Sequence, residues 1–198
     1  MPLPIATERL TLRPYEPSDL ADLHTVLYSS DEAMALLGGA RELAATRAAL
    51  ERSIRQQRID GYSFWPVIER ASGSLVGEAG LFPLAPGGPD ISLGYAFGAD
   101  YWGRGYATEA ARAVLGEAFG PLGMTRLVAI TREANLGSRN VLRKLGFRME
   151  GVRHVWGAEQ LYFVLERERW DGAAPSPDVS AGAGGAARRA AAWSASRR

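Results

Sequence analysis

An apolar strand, a glycine-bearing turn and the start of an amphipathic helix follow one another between Tyr95 and Ala110. Gly103 and Gly105 allow the backbone to bend and to approach a ligand closely, because neither residue carries a Cβ atom. A helix that begins after such a turn presents unpaired N–H groups and the positive end of its dipole. The sequence therefore predicts an anion-binding turn, and the first hypothesis is a ligand that carries phosphate.

The helix after the turn is predicted from apolar residues that recur three and four positions apart, as on one face of an α-helix. These residues are Ala107, Ala110, Ala111, Val114, Leu115, Ala118 and Phe119. Thr108 and Glu109 lie in the first turn, where acceptors and negative charge suit the unpaired N–H groups. Gly120 and Pro121 end the helix.

Two nucleotide-binding patterns also place glycines before a helix, and this turn departs from both. A dinucleotide fingerprint requires G-x-G-x-x-G, whereas Thr108 stands at the third glycine position. No acidic residue closes the next predicted strand at Thr131, and the Gly-Lys-Ser/Thr of a P-loop is absent. The sequence therefore does not favour either nucleotide site.

Composition limits the class of protein. A chain of 198 residues with 46% hydrophobic content can bury a full core, and its formal charge of +1 gives no electrostatic basis for binding nucleic acid. The absence of cysteine excludes disulfides and thiolate chemistry, and no metal site is expected. The N-terminus lacks a secretory signal and no apolar run approaches the ~20 residues of a membrane span. A cytoplasmic protein without membrane attachment is expected.

The folded domain is expected to cover residues 1–170, and the Ala-, Gly- and Arg-rich tail at 171–198 is expected to be disordered. Periodicity predicts strands at 9–13, 63–69, 75–82, 91–97 and 126–131, two more ending near Trp170, and helices at 17–28, 42–58, 107–119 and 138–145. Leu43, Leu50 and Ile54 are expected to face inward from the second helix. This order indicates an α+β fold with one βαβ unit.

These motifs resemble those of the GNAT acyl-CoA N-acetyltransferases, whose signature is Q/R-x-x-G-x-G/A after the fourth strand. Here it reads Trp102-Gly-Arg-Gly105-Tyr-Ala107, with Trp in place of Gln or Arg. The turn resembles that of the branch that includes ribosomal-protein N-terminal Ala/Ser acetyltransferases. Further matches follow in order over about residues 5–170, namely Thr7-Glu-Arg-Leu-Thr-Leu-Arg13, Gly94-Tyr95, Asn135-Leu-Gly-Ser138, Lys144-Leu-Gly-Phe147 and Glu168-Arg-Trp170.

The resemblance implies a mixed, mostly antiparallel twisted sheet of about six to seven strands, with flanking helices and a splayed central pair at 91–97 and 126–131. It also implies acetyl-CoA as the cofactor, with strand backbone and Asn135 contacting pantetheine and turn N–H groups holding the pyrophosphate. The residues implied in cofactor binding are Tyr95, Ala96, Phe97, Trp102, Gly103, Arg104, Gly105, Tyr106, Ala107, Thr108, Asn135, Ser138, Arg143 and Lys144. The last two residues and Arg104 are either phosphate contacts or solvated cations.

Members of this family normally transfer the acyl group by direct attack of the amine, so the resemblance implies no covalent protein intermediate. The tyrosine that many relatives carry seven residues after the Asn is Leu142 here. This leaves Ser138 as proton donor, as helix N-cap, or as both. The Glu that relatives often carry before the Gly-Tyr pair is Ser92 here. The remaining candidate bases are Glu78, Asp90 and Glu159. We take Glu78 as the candidate catalytic carboxylate.

The acceptor is expected to be a small-molecule amine or a peptide or protein N-terminus. An α-amine with a pKa of about 7.7–8.0 costs about 1 kcal/mol to deprotonate at pH 7, whereas a lysine amine costs about 4–5 kcal/mol. The poor inventory of bases therefore favours an α-amine. The alternative is a non-catalytic acyl-CoA-binding sensor or interaction module, and either form is expected to be a monomer or a homodimer.

Overall fold

The centre of the fold is a mixed sheet of eight strands. The computed structural model describes residues 3–170, and the predicted tail at 171–198 lies outside them. The strands are β1 Ile5–Ala6, β2 Leu10–Leu12, β3 Phe64–Glu69, β4 Leu75–Pro83, β5 Ile91–Phe97, β6 Arg126–Thr131, β7 Arg148–Val155 and β8 Ala158–Glu166. Their order is β1-β2-β3-β4-β5-β6-β8-β7. The predicted α+β fold is confirmed, with one strand more than expected because the two-residue β1 pairs with β2.

Helices cover both faces of the sheet. They are α1 Leu20–Leu23, α2 Asp31–Met34, α3 Leu43–Asp60, α4 Tyr106–Phe119 and α5 Leu136–Lys144. A 3₁₀ turn precedes α1 and a π-helical turn, His24–Tyr28, follows it, so the predicted helix at 17–28 is a composite. The first three helices pack on one face and the last two on the other. Within residues 3–170, no helix has both the length and the apolar character to span a membrane.

Burial confirms the predicted apolar face of α4 and corrects that of α3. Ala110, Val114 and Ala118 of α4 are completely buried. Leu50 of α3 is also buried, but Leu43 is 45% exposed, so the prediction that it faces inward is wrong. Leu43 is in line with Leu50 but is the first residue of the helix, whose buried residues begin at Thr46.

The central strands β5 and β6 form a wedge. They are the parallel neighbours in the sheet and pair only at Ser92 and Val128, so they separate toward Phe97 and Thr131. The predicted splayed pair is confirmed. The closed end is fastened by Asp90, which accepts from Arg126 at 2.5 Å and from the Tyr162 hydroxyl at 2.6 Å. Burial alone would raise the pKa of Asp90, but these two donors lower it below its ordinary value.

Candidate active site

The glycine turn after β5 presents a row of free backbone donors. Gly103 and Gly105 have φ angles of 77° and 81°, a left-handed conformation that favours glycine. The first backbone hydrogen bonds of α4 run from Thr108 and Glu109 to the carbonyl of Gly105. The N–H groups of residues 103–107 have no acceptor within residues 3–170. A Cβ atom at Gly103 would meet nothing within 4 Å, so no neighbouring group covers the turn at this residue. Free N–H groups at the start of a helix favour an anion.

Two residues from the N-terminal segment brace this turn. Arg9 donates to the carbonyl of Arg104 at 2.8 Å and from Nε to Glu109 at 2.7 Å. The hydroxyl of Thr7 donates to the same carboxylate at 2.6 Å. Sequence reasoning assigned Glu109 only to the helix dipole and packing. The motif at residues 7–13 contains both partners of Glu109, but the sequence does not indicate that they contact this carboxylate.

Replacing Glu109 with Gln is expected to lower the free energy of unfolding at pH 7 by about 1–3 kcal/mol, because hydrogen bonds to a charged group are lost. Burial raises the pKa of Glu109, but donors on Thr7 and Arg9 and the charge of Arg9 bring it below its ordinary value. A lowered folded-state pKa gives stability above the unfolded pKa of about 4.3 that is lost as pH falls through the folded value. Urea unfolding should therefore show the difference between the two proteins at pH 7, and their stabilities should converge in acid.

The exposed Glu133 provides the matched control for this substitution. Glu133→Gln should leave the free energy of unfolding within about 0.5 kcal/mol of the parent. Equal stability of the Glu109→Gln variant at pH 7 would contradict a bracing role for the carboxylate.

The edge of β5 that faces the wedge also carries free backbone groups. The N–H of Gly98 donates to the carbonyl of Val76, and bonded pairs alternate along an antiparallel ladder. Ala96 therefore directs its backbone to β4, whereas Tyr95 and Phe97 direct theirs to the wedge. The indole of Trp102 donates to the carbonyl of Phe97 at 2.8 Å. The N–H of Phe97 and both backbone groups of Tyr95 remain at the wedge.

The N-terminus of α5 forms the opposite side of the opening. Asn135 is the N-cap of this helix, because its side-chain oxygen accepts from the N–H of Ser138 at 3.0 Å. The alternative in which Ser138 is the N-cap is therefore wrong. The hydroxyl of Tyr95 lies 3.1 Å from Ser138 Oγ, and both residues are buried. Burial raises the pKa of Tyr95 above its ordinary value, so this hydroxyl keeps its proton.

Glu78 lies beside the wedge on the face covered by α1–α3. It is 2% exposed and stands opposite Ala96 of β5. The hydroxyls of Tyr15 and Tyr28 donate to its carboxylate at 2.6 and 2.8 Å. Burial raises the pKa of Glu78 above its ordinary value, although the two tyrosine donors oppose this. Of the other candidate bases, one is ion-paired at the closed end of the wedge and the other, Glu159, is exposed on β8.

The cationic side chains of the predicted site lie on the glycine turn and on α5. Arg104 donates to the carbonyl of Asp100 at 3.0 Å and lies 3.9 Å from Glu69, which also accepts from the Tyr106 hydroxyl. Arg143 lines a cavity of about 520 Å³ whose other walls are Leu136, Arg139, Asn140, Phe147, Met149 and Phe163. Lys144 ends α5. The structure thus brings Tyr95, Asn135 and Ser138 together, with Arg143 on the β8 side of α5.

Known proteins are similar to this chain in sequence and in fold. Residues 9–148 match the family model described as acetyltransferase (GNAT) domain. The uncharacterized N-acetyltransferase YoaA of Bacillus subtilis (strain 168) is 30% identical over 156 residues, which cover 75% of this chain and 84% of YoaA. A GNAT-family acetyltransferase from Bacillus anthracis is 25% identical with a TM-score of 0.72, covering 84% of this chain and 99% of that one.

A more distant structural neighbour contains coenzyme A. The RimL ribosomal L7/L12 α-N-protein acetyltransferase, solved in complex with coenzyme A, has a TM-score of 0.70 at 17% identity. The match covers 82% of this chain and 96% of that chain. At this identity the likeness is one of fold.

Proposed function

Since the chain belongs to the GNAT family of N-acetyltransferases, we propose that it transfers the acetyl group of acetyl-CoA to a primary amine by direct attack in a ternary complex. One observation carries the proposal. The free N–H groups of residues 103–107 stand at the open end of a wedge whose other side holds Asn135 and Ser138. Hydrogen-bond donors for a phosphate and groups able to transfer a proton therefore lie at the same opening.

The residues at this opening fit acetyl-CoA, which supplies an activated acyl thioester when bound. The N–H groups of the glycine turn and the dipole of α4 hold the pyrophosphate. The backbone of Tyr95 pairs with the pantetheine arm, and the N–H of Phe97 polarises the acyl carbonyl. Asn135 uses its side-chain oxygen on Ser138, which leaves its amide nitrogen to donate to pantetheine. Arg104, Arg143 and Lys144 are the candidate cations for the remaining phosphates.

Proton transfer is assigned to two groups on opposite faces of the sheet. Ser138 Oγ gives a proton to the leaving sulfur and later regains one from solvent. The Tyr95 hydroxyl, 3.1 Å away, keeps its own proton and hydrogen-bonds the seryl oxygen. Glu78 accepts the proton of the attacking amine, directly or through a water molecule. Burial raises the pKa of Glu78 above that of an exposed glutamate, toward neutral pH, which suits a general base.

The acceptor that this site suits best is an α-amine, because such an amine is already partly deprotonated at neutral pH. Purified protein with acetyl-CoA is expected to release free CoA faster with peptides that have a free N-terminus than with N-terminally blocked peptides whose only amine is a lysine side chain. A thiol-release assay over a panel of peptides and small amines measures this. Efficient turnover of lysine side chains with none of α-amines would contradict the α-amine assignment.

The sensor alternative keeps one observation in its favour. Leu142 and Ser92 stand where many relatives carry a catalytic tyrosine and glutamate. Tight binding of acetyl-CoA without turnover of any amine in the same panel would favour the sensor over the enzyme.

A further inference from the structure

The last residue of β6 carries a buried hydroxyl without a partner. Thr131 is 4% exposed, and its Oγ1 makes no hydrogen bond. Within residues 3–170, the other buried side-chain atoms without a partner are nitrogens of Gln56 and Arg112. Buried hydroxyls are almost always hydrogen-bonded, because leaving one unpaired costs free energy. A ligand group that forms a hydrogen bond with Thr131 would remove this cost.

Strand register places Thr131 at the wedge. Ser92 of β5 pairs with Val128 of β6, and parallel strands advance by the same distance per residue. Three residues further on, Tyr95 and Thr131 lie across the opening from each other. The two strands no longer pair at this level, so the gap between them can receive an extended arm.

Side-chain alternation fixes the face on which the hydroxyl lies. Leu127 and Ala129 belong to the core beneath α4 and α5, and Thr131 continues their alternation. Its partner on β8 is Leu161, which belongs to the same core. Thr131 therefore shares a face with the ring of Tyr95 and with the N-terminus of α5.

The polar groups on this face already have partners. The side-chain oxygen of Asn135 accepts from the N–H of Ser138, and the Tyr95 hydroxyl contacts Ser138. A threonine hydroxyl can donate one hydrogen bond and accept others, which matches a secondary amide. The pantetheine arm of an acyl-CoA carries two such amides.

We propose that Thr131 is a further cofactor-binding residue, whose hydroxyl forms a hydrogen bond with a pantetheine amide from the β6 side of the wedge. The inference rests on the proposed function, because it assumes that an acyl-CoA occupies the opening. It adds a side-chain contact opposite the backbone contacts of Tyr95.

Thr131→Val tests this inference through two effects of opposite sign. The change removes the hydroxyl and keeps the branched shape. In the free protein the unfolding midpoint should rise, because a buried unpaired group is lost. The dissociation constant for CoA, measured by calorimetry, should increase about 3- to 10-fold because one hydrogen bond to the ligand is lost. Thr131→Ser should keep most of the affinity.

A shorter ligand separates the inference from a general disturbance. The dissociation constant for 3′-phospho-ADP, which has the same phosphates without pantetheine, should be unchanged in Thr131→Val. Unchanged affinity for CoA, or an equal loss for both ligands, would overturn the inference and leave the proposed function standing. Absence of CoA binding by the parent protein would instead overturn the proposed function.

Discussion

Glu78→Gln is expected to lower kcat at pH 7 by about 10²-fold, the lower end of what a general base contributes. Glutamine keeps the volume of the side chain and can hydrogen-bond Tyr15 and Tyr28, but it cannot accept a proton from the amine. Steady-state rates of CoA release with an α-amine peptide measure the loss. Affinity for CoA should not change, because Glu78 lies on the face opposite α4 and α5.

The stability of Glu78→Gln shows whether a loss of rate comes from catalysis or from unfolding. A carboxyl whose pKa is raised in the folded state contributes stability below its unfolded pKa of about 4.3, and this contribution is lost as pH rises through the folded value. The raised pKa means that the fold disfavours the ionised form of Glu78 relative to the protonated form. Glu78→Gln should be at least as stable as the parent at pH 7, so a loss of rate cannot be attributed to unfolding.

The pH dependence offers a matched control. The parent should show kcat/KM rising with pH through the pKa of Glu78, and this limb should be absent in Glu78→Gln. Tyr15→Phe removes a donor that lowers the pKa of Glu78, so its limb should move to higher pH and its rate should recover there. Full activity of Glu78→Gln at pH 7 would show that another group accepts the proton.

Local pattern was sufficient to predict the elements that build the site. The stripe of α4 repeats at helical spacing, and all of its residues except the partly buried Ala107 are buried. The order of strand, glycine turn and helix predicted the turn, since left-handed φ angles at Gly103 and Gly105 need glycine. The spacing in sequence between that turn and Asn135 predicted the other side of the site. These features depend on near neighbours in the chain, which is why sequence reveals them.

Contacts between distant residues could not be predicted in the same way. Arg9 and Glu109 are separated by 100 positions, and no periodicity joins them. Three acidic candidates for the base looked equivalent in sequence. Only the packing of Tyr15 and Tyr28 against β4 distinguishes the buried Glu78 from the ion-paired and exposed alternatives. Likewise, the sequence could not show which residue is the N-cap of α5, because this depends on where the side-chain oxygen of Asn135 lies.

Gly103→Leu is expected to weaken CoA binding by at least about 10²-fold. The leucine side chain would occupy the open space at Gly103, within the turn that carries the free N–H groups, and is expected to displace the pyrophosphate. Two charge-assisted hydrogen bonds lost at about 1.5–3 kcal/mol each account for this factor. Calorimetry with CoA and with 3′-phospho-ADP measures it, and both affinities should fall. Gly105→Leu would be less clear, because a Cβ there meets Arg9 at 3.4 Å.

Gly123→Leu is the matched control, because Gly123 also has a left-handed φ, of 62°, and no atom within 4 Å of its Cβ position. It follows the far end of α4, about 20 Å from the turn at 1.5 Å per residue. Both variants should lose about 1–2 kcal/mol of stability, the cost of a left-handed conformation for a residue with a Cβ atom. Only Gly103→Leu should lose CoA. Equal CoA affinities in the two variants would place the pyrophosphate elsewhere. Both variants add the same side chain at a left-handed, uncovered position, but only Gly103 lies in the turn with the free N–H groups.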